Sequence, residues 1–313
     1  MVTLTQLEYI VAVDTYRHFG KAAEHCFITQ PTLSMQIKKL EEDLEIIIFD
    51  RSKQPLIPTD VGSRIVEQAR VTLKQSEEIT NIVKDHKNLV SGMLRIGIIP
   101  TLAPYLLPIF IGRYKKKYPN IFIKVLELTT ENIEENLSKD LIDVGILVTP
   151  LNDEKILEKP IFYEEMLLYA NKGHKLHTRK EVKLADINTP EIWLLGDGHC
   201  FRDQVINLCS NLGTTDGVLP FHFEAGSLET IMNIVDREGG ITLIPELALE
   251  TMSEKRLNNV RHFSEVTPLR EVSLVYSRHF AKHKLISLLW REIKDAIPKA
   301  LQTEDRGTIV EWR

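Results

Sequence analysis

The sequence predicts an all-α front end with a short β wing, one long linking helix, and an α/β region made of two Rossmann-like subdomains. Three observations carry that prediction. Residues 1–60 hold short apolar patterns of helical period followed by a turn-rich stretch. Residues 61–90 read as a single helix, and from residue 91 onward apolar runs of strand length alternate with helical patterns.

Composition sets the frame. With 313 residues, 43% hydrophobic and 27% charged, the chain is long enough for two or three domains that each bury a core. No stretch approaches the length of a membrane span, and MVTLTQLEYIVAVD places Glu8 and Asp14 where a signal peptide needs an unbroken apolar run. The expectation is a cytoplasmic protein without a membrane partner. Three cysteines are too few for a disulfide framework, and in a reducing compartment such residues are more often metal-binding, catalytic or redox-sensing. Net charge is −5, and residues 1–90 carry 11 Lys and Arg against 13 Asp and Glu. A nucleic-acid partner must therefore be argued from local pattern.

That pattern is present. Leu4, Leu7, Ile10, Val11 and Val13 recur at helical spacing, and after Gly20 the segment KAAEHCF offers Ala22 and Ala23 for close helix packing. In TQPTLSMQIKKLEEDL, Thr29 is a plausible N-cap, Pro31 suits a first turn, and Leu33, Ile37, Leu40 and Leu44 form one apolar face. The other face carries Gln30, Thr32, Ser34, Gln36 and Lys38. Such groups on the second helix of a helix-turn-helix suit base edges and phosphates, with Gln30, Pro31 and Ser34 as the base-reading turn; an ordinary amphipathic helix with a solvated face has the same pattern.

FDRSKQPLIPTDVG then reads as a two-stranded wing, with Arg51 and Lys53 near the first strand, Pro55 near the turn, and Thr59 or Asp60 capping the next helix. Arg51 and Lys53 are placed to grip the phosphate backbone. Along residues 61–90, Val66, Ala69, Leu73, Ser76, Thr80 and Val83 form a weakly apolar seam for a dimer that would set two recognition helices on two half-sites.

From SGMLRIGIIPT, a strand running into a helix start at Thr101, the order continues through LAPYLLPIFIGRYKKKYP, IFIKVLEL, ENIEENL and DVGILV. MLLYANK, EIWLLGD and FHFEAG read as further strands, SLETIMNIVDREGG as a helix and ITLIPELAL as a strand, while VSLVYS and a helix at about 283–300 return to the first sheet. This alternation predicts parallel sheets with right-handed crossovers and a cleft where helix N-termini converge, lined by Thr101 and Thr130. The expected boundaries are 1–60, 61–90 and 91–313, the last divided into 91–162 plus 270–313 and 163–269.

GDGHCFRDQVINLCSN holds two of the three cysteines. GDG is a turn and CFRDQVINLC is helical in pattern, so Cys200 starts a helix whose dipole, together with His199 if protonated and Arg202, favours a thiolate of depressed pKa. Along a continuous helix Cys200 and Cys209 would lie about 13 Å apart, whereas a disulfide needs roughly 4.4 to 6.8 Å. The mismatch suits a switch: peroxide oxidises Cys200 to a sulfenic acid, and Cys209 resolves it as the helix gives way. Two incidental small residues is the plainer alternative. A metal site is not expected, because two cysteines and a histidine fall short of a closed zinc set and the spacing is not C-x-x-C.

LEYIVAV, AAE, TQPTLSMQIKKLE, FDR with its wing and TDVG, in this order and spacing, resemble the LysR-type transcriptional regulators. Glu45 departs from the family, whose members usually have a glycine ending the recognition helix. The resemblance implies a periplasmic-binding-protein-like effector region, a double-stranded DNA partner contacted by Thr29, Gln30, Pro31, Thr32, Ser34, Lys38, Arg51 and Lys53, contact with RNA polymerase, and a homotetramer built as a dimer of dimers. It implies no enzyme and no cofactor. GHCFRDQ with Cys209, IPTLAPYLLP, SLETIMNIV and GITLIP are similar to the hydrogen-peroxide-sensing members of the family. That likeness implies a peroxidatic Cys200 and a resolving Cys209. Thr101, Thr130 and His199 would hold peroxide, and Arg202 and Arg270 would stabilise the thiolate. Cys26 has no matching role and reads as a core residue, and Gly226 stands where a related sequence has threonine. A metabolite-triggered regulator of the same family and a thiol-dependent peroxidase are the alternatives.

Overall fold

The computed structural model describes residues 1–86, 90–189, 191–208, 226–278 and 282–311. Cys209 and most of FHFEAG lie outside the described residues. The chain forms two compact units, one reaching from Met1 through the linking helix and a larger one that begins at Val90.

The first unit opens with α1 (Leu4–Tyr16), α2 (Phe19–His25) and α3 (Gln30–Asp43). Each start is chemically specified. Thr3 and Gln6 form a capping box, His18 Nδ1 accepts the amides of Gly20 and Lys21, and Thr29 accepts the amide of Thr32 with Pro31 in the first turn. Ile10, Val13, Ala22, Ala23, Leu33, Ile37 and Leu40 close one core, and Cys26 packs against its edge as the sequence led us to expect.

Strands β1 (Phe49–Asp50) and β2 (Ile57–Pro58) pair antiparallel as the wing. Thr59, not Asp60, caps α4 (Asp60–His86): its hydroxyl oxygen accepts the Gly62 amide at 2.9 Å. A Cβ at Gly62 would stand 2.0 Å from the Ile48 carbonyl oxygen, so only glycine lets α4 pass this close to the wing.

Arg70 of α4 donates to Asp14 Oδ2 and Thr15 Oγ1, both at 2.9 Å, tying α4 to α1. The expected dimer seam needs correction here. Val66 and Ala69 are buried in the unit's own core, because α1 packs on the first half of α4. The apolar side chains that α4 leaves exposed are Val61, Ile79, Ile82 and Val83.

The second unit runs β3 (Gly92–Ile98), α5 (Ala103–Lys117), β4 (Ile121–Glu127), α6 (Thr130–Ser138), β5 (Val144–Thr149), β6 (Ile156–Ala170), β7 (Glu181–Val182) and α7 (Cys200–Leu208). It continues with α8 (Leu228–Glu238), β8 (Ile241–Pro245), α9 (Glu254–Leu257), β9 (Val260–Phe263), β10 (Pro268–Ser277), α10 (His283–Ala296) and β11 (Thr308–Ile309). The sheet order is β4-β3-β5-β10-β6-β9-β7, with β8 on β6 and β11 on β10.

Two sequence expectations change. The sheet is mixed: β3 is parallel to β4 and β5, but β10 is antiparallel to both β5 and β6, and β6 is antiparallel to β8 and β9. Strand β10, arriving from late in the chain, lies between β5 and β6 and runs against both, so those two strands point the same way on either side of it. EIWLLGD is not a strand. It makes only isolated bridges, a parallel one joining Ile192 to Ile241, and is further fixed by side chains: Thr242 Oγ1 donates to the Trp193 carbonyl at 2.8 Å, and Trp193 Nε1 donates to the Gly239 carbonyl. The helix expected from Thr101 begins at Ala103, leaving Thr101 in the loop before it.

Strand β6 organises the site. Its first part pairs with β10 and its last part with β8 and β9. The β6–β10 register sets Glu164 directly opposite Arg270.

Candidate peroxide-reactive thiol site and DNA interface

Three loops converge on Cys200. The β3–α5 loop supplies Thr101, the start of α6 supplies Thr129 and Thr130, and the turn before α7 supplies Gly198 and His199. Gly198 has φ +83°, a left-handed conformation that the GDG turn requires and that glycine adopts without strain. The cleft they line is shallow and partly open, with about 170 Å³ of free space including solvent at its mouth. Ordinary small-molecule pockets occupy roughly 300–1,000 Å³, so this cleft is too small for an ordinary metabolite as it stands.

Cys200 is the first residue of α7 and is 3% exposed. The expected depressed pKa is not found: burial pushes the thiol up, because taking the sulfur out of water penalises the thiolate. The Thr130 hydroxyl, the Arg270 guanidinium and the Phe201 backbone amide act in the opposite direction, and Asp203 adds to the upward push. Burial lowers the His199 pKa and favours the neutral ring, which works against the positive charge expected beside the thiol.

The threonines are prepared differently. Thr101 Oγ1 accepts from Arg270 Nη1 at 3.1 Å, which leaves its own proton free to be donated into the cleft. Thr130 is 2% exposed, and its hydroxyl has no fully formed hydrogen bond among the described residues. A buried hydroxyl in that condition is a ready donor or acceptor for a small polar ligand.

Arg270 is fully buried and held on several sides. Nε donates to Glu164 Oε1 at 2.8 Å, Nη2 donates to the Thr101 carbonyl at 3.2 Å, and the guanidinium lies 5.0 Å from the centre of the Phe201 ring. Arg202 is not where the sequence placed it. Its Nε pairs with Asp197 at 3.1 Å and its Nη1 donates to the Leu195 carbonyl, so its charge is drawn to the exposed carboxylate rather than to the buried sulfur. Thr101, Thr130, His199 and Cys200 thus share one cleft, Arg270 stands behind Thr101, Arg202 faces elsewhere, and Cys209 lies outside the described residues. Sequence reasoning missed Glu164. The signal was available: two adjacent acids interrupt the apolar run IFYEEMLLYA, and a buried acid demands a partner.

In the first unit Gln30, Pro31 and Lys38 are exposed on α3, with Thr29, Thr32 and Ser34 beside them. The Thr29 and Thr32 hydroxyls share a 2.8 Å hydrogen bond, and Lys38 pairs with Glu42. Arg51 Nη2 donates to Glu41 Oε2 at 3.0 Å and its guanidinium lies over the Phe19 ring, while Lys53 is exposed. Glu41 also accepts the Ile48 and Phe49 amides, so this one carboxylate fixes both the entry to the wing and the direction of Arg51.

The class of protein follows from both units. Residues 4–63 match the bacterial regulatory helix-turn-helix protein family, lysR type, and residues 87–298 match the LysR substrate binding domain. The chain belongs to the LysR family of DNA-binding transcriptional regulators. Along most of its length it resembles OxyR, the hydrogen peroxide-inducible genes activator. The activator of that name from Haemophilus influenzae is 36% identical over 88% of this chain and 90% of its own length. A full-length OxyR mutant from Pseudomonas aeruginosa matches with a TM-score of 0.77 at 33% identity, covering 94% of this chain and 98% of that one. A hydrogen-peroxide-bound OxyR mutant from Corynebacterium glutamicum matches with a TM-score of 0.61 at 27% identity, over 94% and 92% of the two chains. No helix of the described residues is long and apolar enough to cross a membrane, and no His, Cys, Asp or Glu cluster among them could hold a metal ion.

Proposed function

We propose that this protein is a cytoplasmic transcriptional regulator that senses hydrogen peroxide through Cys200 and Cys209 and switches expression of oxidative-stress genes. The observation that carries the reading is the buried Cys200 thiol beside a small cleft, faced by the buried Thr130 hydroxyl that acts on it and by a Thr101 hydroxyl with its proton free. That space suits peroxide and is small for the metabolite of an alternative LysR-type regulator.

The Cys200 thiol gives up its proton, the thiolate attacks one peroxide oxygen, the O–O bond breaks, and hydroxide leaves and takes up a proton as water. The Cys209 thiol then displaces the hydroxyl of the sulfenic acid as a second water, leaving a disulfide. Thr101, Thr130 and His199 supply hydrogen bonds to the attacked and leaving oxygens. Arg270 favours the thiolate, and Arg202 joins it only if its pair with Asp197 opens. While α7 stays helical, about 12 Å of rise separates Cys200 from Leu208, so the disulfide requires the helix to give way. That coupling turns an oxidation into a change of shape.

The subdomain boundaries expected from the sequence, 91–162 plus 270–313 and 163–269, meet along β6 in this reading. The assembly is a homotetramer in which α4 pairs two chains through Ile79, Ile82 and Val83, and the oxidised form recruits RNA polymerase at its operator. Thr29, Gln30, Pro31, Thr32, Ser34 and Lys38 read the operator, and Arg51 and Lys53 hold its phosphates. The protein acts stoichiometrically rather than as a peroxidase.

Mass spectrometry of peroxide-treated protein tests the reading. A disulfide linking 200 to 209 is expected, with Cys200→Ser abolishing it and Cys209→Ser accumulating a trappable sulfenic acid at 200. Rapid oxidation of Cys200→Ser with none in Cys209→Ser would reverse the two roles. Sustained peroxide turnover with a thiol reductant would make it a peroxidase.

A further inference from the structure

Glu164 and Arg270 are both fully buried and stand opposite each other in the β6–β10 ladder. Their ion pair is closed at 2.7 Å. The second carboxylate oxygen accepts the Leu247 amide at 3.0 Å, so both oxygens are used and the carboxylate cannot swing. Among the described residues Arg270 is the cation that acts on Cys200, and it also orders the Thr101 hydroxyl. At 0% exposure the guanidinium is removed from bulk solvent screening, so the field it projects depends strongly on the counter-charge beside it.

We propose that Glu164 is a positioning residue for the Cys200 chemistry, holding the Arg270 guanidinium against Thr101 and Phe201 and setting how much of its positive charge reaches the sulfur. The proposal rests on reading Cys200 as the peroxide-reactive thiol. Two consequences follow from one carboxylate. Glu164 keeps Arg270 from turning toward solvent or toward another acid, and its negative charge tempers the guanidinium's pull toward the thiolate, adding to the burial that keeps the resting thiol protonated. Burial raises the Glu164 carboxyl, and the Arg270 charge and the Leu247 amide oppose that rise. The other charged or titratable groups facing the pair are Glu246, from the turn after β8, and Tyr105 on α5, while Cys200 is faced by Asp203 as well as Arg270.

The test reads Cys200 ionisation directly, by the pH dependence of its alkylation by iodoacetamide in the full chain, followed peptide by peptide so that Cys26 and Cys209 do not interfere. In Glu164→Gln, Arg270 keeps its contacts to Thr101 and Phe201 but loses its counter-charge. The alkylation midpoint should fall by at least half a pH unit, and Glu164→Asp, which keeps the charge, should stay near the wild type. A purely structural role would lower the stability of both variants and leave the midpoint in place, and an unchanged or higher midpoint in Glu164→Gln overturns the proposal. If Glu164→Gln does not fold, Arg270→Lys carries the test from the other side. A lysine's point charge cannot serve Glu164, Thr101 and the Phe201 ring together, so the midpoint should rise, and no change overturns the proposal. Because alkylation needs no peroxide, failure of the peroxide reading leaves this result legible: a wild-type Cys200 that alkylates but is not oxidised by peroxide removes the sensing function and not the electrostatic coupling.

Discussion

The side-chain amide of Gln204 donates a 2.8 Å hydrogen bond to the carbonyl of Val310, joining the helix that carries Cys200 to the segment just after β11. Gln204 is fully buried, Val310 is 8% exposed, and the Val310 amide donates to the Leu269 carbonyl, one residue before Arg270. Asn207 repeats the device on the Glu311 carbonyl at 2.9 Å. Helix α7 therefore clamps residues 310–311 while it is folded.

Removing the Gln204 amide leaves a buried carbonyl unpaired, a loss of about 1–3 kcal/mol. Gln204→Ala should lower the urea midpoint accordingly. Oxidation that melts α7 should also speed hydrogen exchange at the Val310 amide. Equal protection in reduced and oxidised protein would show that α7 keeps its grip.

Peroxide reactivity should climb steeply with pH. Burial raises the Cys200 thiol above its ordinary value, so the thiolate is the minor form near pH 7. The oxidation rate of the Cys209→Ser variant, measured by stopped flow, should rise about tenfold per pH unit between 6 and 8. A flat profile over that range would mean that the thiolate is already fully formed. The same shift disfavours folding at high pH, since the unfolded chain loses its proton first and stability falls as pH rises past the ordinary thiol value.

His199 shifts the other way. Its pKa is lowered in the folded protein, so below the ordinary value of 6.5 the unfolded chain binds a proton that the folded chain refuses. The contribution is fully present above that value and is lost as pH falls through the lowered one. Thermal melts of His199→Gln should lose part of the stability change between pH 5 and 7, and an identical pH dependence in variant and wild type would rule this out.

Glu45 sits at φ 54° just past α3, in the left-handed region that glycine adopts without strain. A left-handed conformation costs a side-chain-bearing residue roughly 1–2 kcal/mol, partly offset by the greater freedom glycine loses on folding. Glu45→Gly should stabilise the first unit by about 0.5–1 kcal/mol in denaturant unfolding. Destabilisation would mean that the carboxylate makes a contact outweighing the strain.

On DNA, Lys53→Ala should weaken binding to specific and random duplexes alike and reduce the slope of log affinity against log salt by about one. Gln30→Ala should cost about 1–3 kcal/mol on the operator only. Arg51 is a poorer probe, because its loss also strips a partner from Glu41 at the wing entry. A Lys53 effect confined to one sequence would assign it to base reading.

Short-range chemistry was legible in the chain itself. Thr29 with Pro31, the Leu33, Ile37 and Leu40 stripe, and the GDG turn before Cys200 act within a few residues, and the helices formed where those signals stand. The clustering of Thr101, Thr130, His199 and Cys200 was also foreseeable, since strand-to-helix loops gather at one end of an α/β sheet. Only the tertiary structure decided the electrostatics. Helix position and neighbouring cations argued for a depressed thiol, yet burial prevails, because desolvation depends on how the whole fold closes over the sulfur. It likewise turned Arg202 outward to Asp197 and buried Val66 and Ala69 within one chain. It also brought Glu164 opposite Arg270, a pairing fixed by antiparallel register between strands far apart in sequence.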